Sequence, residues 1–559
     1  MQIVIPMSGF GERFYKAGYR IPKALIEIDG KPIIAHVIDM FPGETDFLFI
    51  CNQDHLNNSD YQMEAILRQY CPSGRVIGIP PHKLGPNHAV LQVNHLIDPN
   101  RPVLINYCDF TCYWDWQDFK KFINDTQCDG AIPAYKGFHP HTLGHTNYAY
   151  MREEDGRVLD IQEKQPYTDN RMEEYASSGT YYFSSGALMS KALSLTKEQG
   201  LTVGGEYYVS LAYKPLLALN CVIAVYPLQH FMQWGTPADV AEYNNWSAIF
   251  KRLLITNEPA ITANGAVIIP MAGLGQRFIQ EGYSITKPLI PVSGKPMVIQ
   301  ATRDLPAAAN YVFVIRQEMA DAQHIATELK ASYPGAIIHF IHGMTDGQAC
   351  TALIGLDALE DAIDQSISPV TFGACDSGAL YDHKVLQALL DNPDIDVIVW
   401  GVRNHAHAIR NPHMYGWIDA NDGLISRISV KKQLQDPTTD PIVLGTFTFR
   451  SPDAFRRVME KLMARDGRVN GEFYLDSVIN DAIELGLHCH LFEVDHLLSW
   501  GTPNDLRTFE YWQSCFHKWS SHPYRLELDK RIPKHVLSEL DVRYKRTVPA
   551  RPRWCYDHA

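Results

Sequence analysis

Short apolar, β-branched runs alternate with amphipathic stretches along this chain of 559 residues. Residues 2–6 and 266–270 are two such runs, and each leads directly into a glycine-rich turn, as a buried strand does when it enters a loop. Residues 103–106 and 370–373 have the character of further buried strands, each ending at a Cys-Asp pair. Strands alternating with helical stretches predict an α/β fold with a mostly parallel or mixed sheet. Ligands of such sheets bind beyond the carboxyl ends of the strands, where the turns and the aspartates fall.

The chain repeats itself once over nearly its whole length, because the motifs of the first half return 264 to 267 residues later. The matched motifs are Gly9 to Phe14 with Gly273 to Phe278, Gly30-Lys31-Pro32 with Gly294-Lys295-Pro296, Cys108-Asp109 with Cys375-Asp376, Gly179-Thr180 with Gly445-Thr446, Gly205-Glu206 with Gly471-Glu472, and Trp234 to Pro237 with Trp500 to Pro503. Solenoid repeats are at most roughly 50 residues long, so each copy is a whole domain.

The repeat also predicts the domain boundaries. We expect a first domain over residues 1–250, a linker over 251–264 and a second domain over 265–514. Residues 515–559 lie outside both copies and form a C-terminal extension, which carries basic residues between aromatic ones. That pattern can bind nucleic acid, but an arm packed on a domain or on a neighbouring subunit is the favoured interpretation.

Composition narrows the class of partner. The chain is 46% hydrophobic and 20% charged with a net charge of −13, which is typical of a soluble globular protein and unfavourable for a main nucleic-acid partner. Its start lacks the pattern of a signal peptide, and its most apolar later stretch, residues 215–228, is shorter than the about 20 residues that span a bilayer. The 11 cysteines are scattered, so we expect them to be reduced. These features predict a cytoplasmic protein with no membrane or nucleic-acid partner.

Each copy begins with residues suited to binding phosphate. Ser8, Gly9, Gly11 and Arg13 follow the first strand, where glycine lets backbone N–H groups approach an anion and a guanidinium can bind phosphate oxygens. The loop lacks the third glycine of the dinucleotide-binding motif and the Gly-Lys-Ser/Thr ending of a P-loop, so neither label applies. Lys23 follows ten residues after the arginine. The second copy repeats these features at Gly273, Gly275, Arg277 and Lys287.

In combination, these motifs resemble the sugar-phosphate nucleotidyltransferase family, whose members are also called nucleotide-sugar pyrophosphorylases. The resemblance covers nearly all of residues 1–245 and again 265–512. It implies two tandem Rossmann-like nucleotidyltransferase domains. The Trp-Gly-Thr-Pro motif, together with Cys-Asp, is similar to a subgroup associated with bacterial surface-polysaccharide synthesis.

The resemblance also implies roles for individual residues. Arg13 and Arg277 would bind the departing phosphates, Lys23 and Lys287 would sit at the α-phosphate, and Asp109 and Asp376 would hold Mg²⁺ or Mn²⁺. Ser8, Gly9, Gly11, Gly85, Gly273, Gly275 and Gly347 would contact the nucleotide. Glu163, Lys164, Gly179, Lys431 and Gly445 would bind the acceptor, with the two lysines on its phosphate.

The chemistry agrees with these roles. A phosphate oxygen of the acceptor attacks the α-phosphorus of a nucleoside triphosphate, so the protein must align two anions and neutralise charge as pyrophosphate leaves. Positioning, cations and a hard metal ion can do this. Aspartate can also simply cap a helix, and lysine can simply face solvent; the repeated context favours the functional interpretation.

The sequence departs from the family pattern at the metal site and at the base. Gln233 and Ser499 stand where many members have a second metal-binding aspartate, and Pro80 and His342 replace a glutamine that reads the base. The nucleobase and the acceptor therefore stay open, as does assembly into a homo-oligomer. A histidine-rich segment at His139, His141 and His145 could bind zinc, but a substrate-facing loop is favoured.

We therefore expect a nucleotidyltransferase that joins a nucleoside triphosphate to a sugar phosphate or related phosphorylated small molecule. Two alternatives remain: a glycosyltransferase that consumes nucleotide sugars, or copies that bind a nucleotide sugar in a regulatory role. Release of pyrophosphate separates them. The copies should differ on the acceptor side, because Glu163 in the first is replaced by Val430 in the second. We therefore expect two acceptors or two bases, or one active copy beside a weakened one; in that last case the sequence favours an active first copy.

Overall fold

A computed structural model describes residues 1–144, 147–255, 262–363, 367–544 and 549–556. The chain divides into two compact units. The first comprises residues 1–248, 514–523 and 544–559, and the second comprises residues 249–513 and 524–543. Residues 256–261 of the predicted linker lie outside the described residues.

The first unit contains strands and helices in alternation. Its strands are β1 (Gln2–Met7), β2 (Glu27–Ile28), β3 (Lys31–Pro32), β4 (Phe47–Asn52), β5 (Arg75–Ile79), β6 (Val103–Asn106), β7 (Phe110–Tyr113), β8 (Gly130–Tyr135), β9 (Ala149–Glu154), β10 (Arg157–Glu163), β11 (Tyr175–Ser177), β12 (Thr180–Phe183), β13 (Ile223–Leu228) and β14 (His230–Gln233). Its helices are α1 (Glu12–Lys16), α2 (Ile33–Asp39), α3 (Gln53–Asn57), α4 (Met63–Tyr70), α5 (Pro86–Gln92), α6 (Trp116–Thr126), α7 (Gly186–Glu198), α8 (Tyr213–Ala218) and α9 (Pro237–Arg252).

The central sheet of the first unit is mixed. Within the described residues it has ten strands in the order β11-β9-β10-β13-β8-β12-β6-β1-β4-β5. Strands β6, β1, β4 and β5 run parallel, whereas β12 is antiparallel to both of its neighbours. Every residue of β1, β4 and β6 is buried, as expected for parallel strands that helices cover on both faces.

The second unit repeats this set of elements. Its strands are β15 (Thr262–Met271), β16 (Pro291–Val292), β17 (Lys295–Pro296), β18 (Ala307–Arg316), β19 (Ile337–Ile341), β20 (Val370–Phe372), β21 (Ser377–Leu380), β22 (Val397–Val402), β23 (Gly416–Asn421), β24 (Leu424–Val430), β25 (Ile442–Phe449), β26 (Cys489–Glu493) and β27 (His496–Ser499). Its helices are α10 (Gln276–Gln280), α11 (Met297–Arg303), α12 (Ala322–Ser332), α13 (Gln348–Ala362), α14 (His383–Asp391), α15 (Ala406–Arg410), α16 (Pro452–Ala464), α17 (Leu475–Glu484), α18 (Pro503–Lys518) and α19 (Leu537–Tyr544).

The strand order of the second sheet matches that of the first. Across the described residues it runs β19-β18-β15-β20-β25-β22-β26-β24-β23, with β25 standing for both β11 and β12. Strands β15, β18, β19 and β20 are parallel, and β25 is antiparallel to β20 and β22. The prediction of two tandem α/β domains with mixed central sheets is therefore confirmed.

A small two-stranded antiparallel sheet in each unit brings distant motifs together. Strand β7 pairs with β14, and the backbone N–H of Trp234 donates to the carbonyl of Asp109 at 2.7 Å. Strand β21 pairs with β27 in the same way, and Trp500 donates to the carbonyl of Asp376 at 2.9 Å. Both tryptophan side chains are fully buried, so they serve packing, and the Trp-Gly-Thr-Pro turn is fixed beside the aspartate.

Part of the C-terminal extension belongs to the first unit. Arg551 donates to the carboxylates of Asp118 and Asp125 at 2.8 and 2.9 Å, and the Trp519 ring lies 5.6 Å from that of His36. These basic and aromatic side chains thus pack within the unit. None of the described helices is long and apolar enough to span a membrane.

Candidate active site

A cavity of about 580 Å³ opens at the carboxyl edge of the first unit's parallel strands. Pockets that hold small ligands are about 300 to 1,000 Å³ in volume. All ten residues that the sequence singled out in the first copy line this cavity, although they come from six separate segments. They are Ser8, Gly9, Gly11, Arg13, Lys23, Gly85, Asp109, Glu163, Lys164 and Gly179.

The loop after the first strand has the same backbone shape in both units. Gly11 and Gly275 both adopt a left-handed conformation with φ of 65°, which a residue with a side chain rarely does. This conformation turns the chain into the short helices α1 and α10, each of which begins with one polar residue and then the arginine. Arg13 and Arg277 are both exposed, so each guanidinium is accessible to an anionic ligand.

A lysine–aspartate ion pair lies at the base of each site. Lys23 Nζ donates to Asp109 Oδ2 at 2.8 Å, and Lys287 Nζ donates to Asp376 Oδ2 at 2.5 Å. Burial alone would lower the pKa of each lysine, but the adjacent carboxylate outweighs it and raises the pKa above the usual value. Both lysines therefore carry a full positive charge at neutral pH.

A second carboxylate lies beside Asp109 but is already bonded. Asp239 accepts hydrogen bonds from the backbone N–H and the hydroxyl of Thr236, and from Nε2 of Gln233. Burial raises the pKa of Asp239 to about 6, and the negative charge of Asp109 contributes. Gln233, the departure from the family pattern, thus donates a hydrogen bond to this buried carboxylate.

The site fits a metal ion that is held mainly by its substrate. Asp109 is about a quarter exposed at the cavity, and Asp376 is similarly exposed. No cluster of three or more ligating side chains occurs among the described residues. Mg²⁺ commonly binds through one or two carboxylates together with substrate phosphates and water, and one aspartate per site meets that requirement.

Part of the lining of the first cavity combines a carboxylate with an ammonium group. Glu163 ends β10 and accepts a hydrogen bond from Ser210 Oγ at 2.5 Å, and burial raises its pKa to about 7. Lys164 Nζ donates to Tyr208 Oη at 2.5 Å. Lys164 has a φ of 60°, a strained conformation that is found at functional sites more often than elsewhere. We call Ala149, Glu163, Lys164 and Ser210 the first acceptor wall.

The second unit keeps the lysine of this wall and its strain. Lys431 has a φ of 57°, and its Nζ donates to the carbonyl of Met414 at 2.5 Å. Burial lowers the pKa of Lys431, and the charge of Arg277 lowers it further, so the two cations face the same region. Val430 precedes Lys431 in place of a glutamate and ends β24.

Gly85 and Gly347 have a steric role that the sequence did not reveal. A Cβ on Gly85 would lie 2.7 Å from the carbonyl oxygen of Tyr207, and one on Gly347 would lie 2.6 Å from that of Phe473. The Gly-Glu-aromatic-Tyr segment therefore packs on the loop that contains Gly85 in the first unit and Gly347 in the second. It brings Tyr208 into the first cavity, a residue that the sequence analysis missed although its motif is repeated.

The remaining acceptor-side residues hold the same backbone position in each copy. Gly179 precedes β12 with a φ of 99°, and Gly445 lies in β25 with a φ of 87°. The Gly179 carbonyl accepts a hydrogen bond from the N–H of Tyr107, which links this strand to the end of β6. The strand therefore borders the cavity at the end of the sheet where Asp109 lies.

The histidine-rich segment packs against aromatic residues. His141 Nε2 lies 2.8 Å from Tyr135 Oη, and the His139 ring lies 4.5 Å from the ring of Tyr135. Burial lowers the pKa of His139 to about 4, so it is neutral at physiological pH. His145 lies outside the described residues.

Comparison with known proteins agrees with this geometry. Residues 3–206 match the nucleotidyl transferase family. The bifunctional protein GlmU of Methanococcus vannielii is 25% identical over 276 residues, which are 48% of this chain and 61% of that protein. The chain thus spans less than two thirds of that relative's length.

Solved structures also align with part of the chain. A nucleoside-diphosphate-sugar pyrophosphorylase from Vibrio cholerae RC9 is 19% identical, with a TM-score of 0.36, over 44% of this chain and 98% of that one. The inositol-1-phosphate CTP transferase from T. maritima is 14% identical, with a TM-score of 0.36, over 46% and 96% of the two chains. The family match covers residues 3–206 of the first unit and agrees with the resemblance predicted from the motifs of that copy.

Proposed function

We propose that each unit transfers a nucleotidyl group from a nucleoside triphosphate to a phosphorylated acceptor and releases pyrophosphate. The observation that carries this proposal is the convergence of ten sequence-predicted residues on one cavity of the first unit. The second unit repeats the loop, the arginine and the lysine–aspartate pair.

The positions of the cations match the needs of this reaction. Arg13 lies on the glycine loop and would bind the β- and γ-phosphates, which depart as pyrophosphate. Lys23, held by Asp109, would bind the α-phosphate and neutralise charge on its oxygens. Lys164 lines the same cavity and would bind the acceptor's phosphate. In-line attack then requires only that the two anions be aligned, with no covalent enzyme intermediate.

Asp109 and Asp376 would hold Mg²⁺ or Mn²⁺ together with phosphate oxygens. Bound there, the ion would supply charge neutralisation on the triphosphate. Lys23 and Lys287 each donate a hydrogen bond to one oxygen of the aspartate. Binding of the triphosphate would draw each lysine toward phosphate and expose the carboxylate.

The acceptor is a sugar phosphate or a related phosphorylated small molecule. Glu163 beside Lys164 supports this class, since a carboxylate accepts hydrogen bonds from hydroxyl groups and an ammonium group binds phosphate. We further propose that the product is an activated precursor for surface polysaccharide, on the resemblance of the Trp-Gly-Thr-Pro and Cys-Asp motifs to that subgroup.

Replacing both loop arginines tests the phosphate-binding role. Arg13→Ala with Arg277→Ala should lower pyrophosphate release at least about 100-fold, because developing charge on the leaving phosphates loses its counter-charge. Both side chains are exposed, so the fold should persist. Pyrophosphate would be measured across common triphosphates paired with sugar, polyol and amino-alcohol phosphates.

The matched control replaces two other exposed arginines, Arg20→Ala with Arg427→Ala, and should keep full turnover. Wild-type turnover in the Arg13/Arg277 variant would refute the phosphate-binding role. Consumption of a nucleotide sugar without pyrophosphate release would instead indicate a glycosyltransferase, and nucleotide-sugar binding without turnover would indicate a regulatory domain.

Metal dependence follows from one exposed carboxylate at each triphosphate site. Turnover should require added Mg²⁺ or Mn²⁺ and should be abolished by Asp109→Asn with Asp376→Asn, because the amide is a poor ligand for a hard cation. Circular dichroism should remain unchanged, since asparagine keeps the shape of aspartate. Full turnover in excess chelator would contradict this assignment.

The ionised carboxylate of Glu163 should lower the stability of the folded protein, because burial disfavours its charge. Its pKa rises from 4.5 to about 7 on folding, so the folded state holds the proton more tightly and stability falls as pH increases through this window. Glu163→Gln cannot ionise. The free energy of unfolding of Glu163→Gln, taken relative to that of the wild type, should therefore rise by about 2 to 3 kcal/mol between pH 4 and pH 8.

The measurement is the melting temperature of the full chain at several pH values, with the exposed Glu198→Gln as control. The difference between Glu163→Gln and the wild type should grow by a few degrees toward pH 8. A difference that does not change with pH would mean that this carboxylate ionises freely in the folded protein.

A further inference from the structure

The wall of the second unit that corresponds to the first acceptor wall differs at three positions at once. Across β9 and β10, Ala149 pairs with Glu163, and across β23 and β24 the corresponding pair is Gly416 with Val430. The third position lies two residues after the repeated Gly-Glu-aromatic-Tyr segment. There Ser210, the hydrogen-bond donor to Glu163, corresponds to Asp476 in the second copy. A carboxylate is thus lost from the strand and gained on the facing segment.

Gly416 makes room for the new carboxylate. A Cβ on Gly416 would lie 2.2 Å from Asp476 Oδ2 and 3.0 Å from its carboxyl carbon. An alanine here, as at Ala149 of the first unit, would collide with Asp476. The φ of Gly416 is not left-handed, so its backbone does not require glycine. The changes at Gly416 and Asp476 are therefore sterically coupled.

Asp476 lies against Gly416, the strand partner of Val430, and near enough to Lys431 for their charges to interact. It is half-buried, and burial raises its pKa to about 6 while the charge of Lys431 acts in the opposite direction. Lys431 Nζ is bonded to the carbonyl of Met414. Within the described parts of the chain, no side-chain donor bonds the Asp476 carboxylate, whereas Glu163 has Ser210.

We propose that Asp476 is the acceptor-binding carboxylate of the second site, where it takes the place of Glu163 and accepts hydrogen bonds from hydroxyl groups of a phosphorylated sugar or polyol. The phosphate of that ligand binds Lys431. Because the carboxylate enters from a different element, it reaches hydroxyl groups at other positions, so the second site selects a different acceptor. This inference rests on the proposed transfer reaction. Of the sequence-based expectations, which are two acceptors, two bases or one weakened copy, it favours two acceptors.

The test uses the full chain with Arg13→Ala, so that pyrophosphate release reports the second site. In this background Asp476→Asn should raise the KM for the acceptor about tenfold to a hundredfold, since a hydrogen bond to a charged group is lost. The KM for the triphosphate should not change. Asp453→Asn, an exposed carboxylate on α16, is the matched control and should alter neither KM. An unchanged acceptor KM in Asp476→Asn would overturn the proposal.

Two further arms separate this inference from the proposed function. The first is a triple variant, Gly416→Ala with Val430→Glu and Asp476→Ser, which rebuilds the first acceptor wall in the second unit. It should shift acceptor preference toward that of the first site; unchanged preference in a folded protein would refute the role of the wall.

The second is calorimetry with a hexose phosphate, a polyol phosphate and an amino-alcohol phosphate, which measures binding without turnover. If pyrophosphate is never released but Asp476→Asn weakens binding, the transfer reaction fails and the acceptor role stands. If none of these probes binds the Arg13→Ala protein, the acceptor role fails.

Discussion

The ion pair between a lysine and an aspartate at the end of two parallel strands is the interaction on which each site depends. It joins the segment after α1 to the turn after β6 through Lys23 and Asp109. In the other unit it joins the segment after α10 to the turn after β20 through Lys287 and Asp376. The reaction must bring two phosphate anions together, and their repulsion can be met only by cations already fixed in place. The pair holds the lysine charged and oriented before any ligand binds. It also places a positive charge directly against the carboxylate.

The duplication separates what is constant in this chemistry from what varies. The glycine loop, its arginine and the ion pair are the same in both units, as is the left-handed lysine of the acceptor wall. In the proposed reaction all of these groups would act on phosphate, which any triphosphate or phosphorylated acceptor presents. The groups that would act on the rest of the acceptor differ, through Glu163 in the first unit and Asp476 in the second. Gene duplication with a conserved phosphate site thus permits a second specificity without a second mechanism.

Much of the fold and the site could be predicted from the sequence, because the signals are local. A β-branched run followed by a glycine turn identifies β1 and β15, and the Cys-Asp pair marks the end of β6 and β20. The repeat then raised a weak motif to a specific one, since chance seldom preserves a lysine or an aspartate at matching positions in two copies.

The features that the sequence could not predict depend on contacts between distant segments. The glycine at Gly85 is required by the backbone of Tyr207, more than a hundred residues away, and no local pattern reveals that approach. Asp239 resembles an ordinary helix-capping residue in the sequence, and only the fold places it beside Asp109. The exchange that links Gly416, Val430 and Asp476 spans three elements. Position by position, Val430 removes the carboxylate that Glu163 provides in the first copy, and only the fold places Asp476 against Gly416.

The central claim is that the chain holds two transferase sites with one chemistry and two acceptors. The most direct measurement incubates Lys23→Ala and Lys287→Ala separately with α-³²P-labelled triphosphates and a panel of phosphorylated acceptors, and separates the labelled products. The account predicts that each variant loses one product and retains another, because each lysine serves only its own site. If both variants make the same product at about half the wild-type rate, the sites are redundant and the account of two acceptors is wrong.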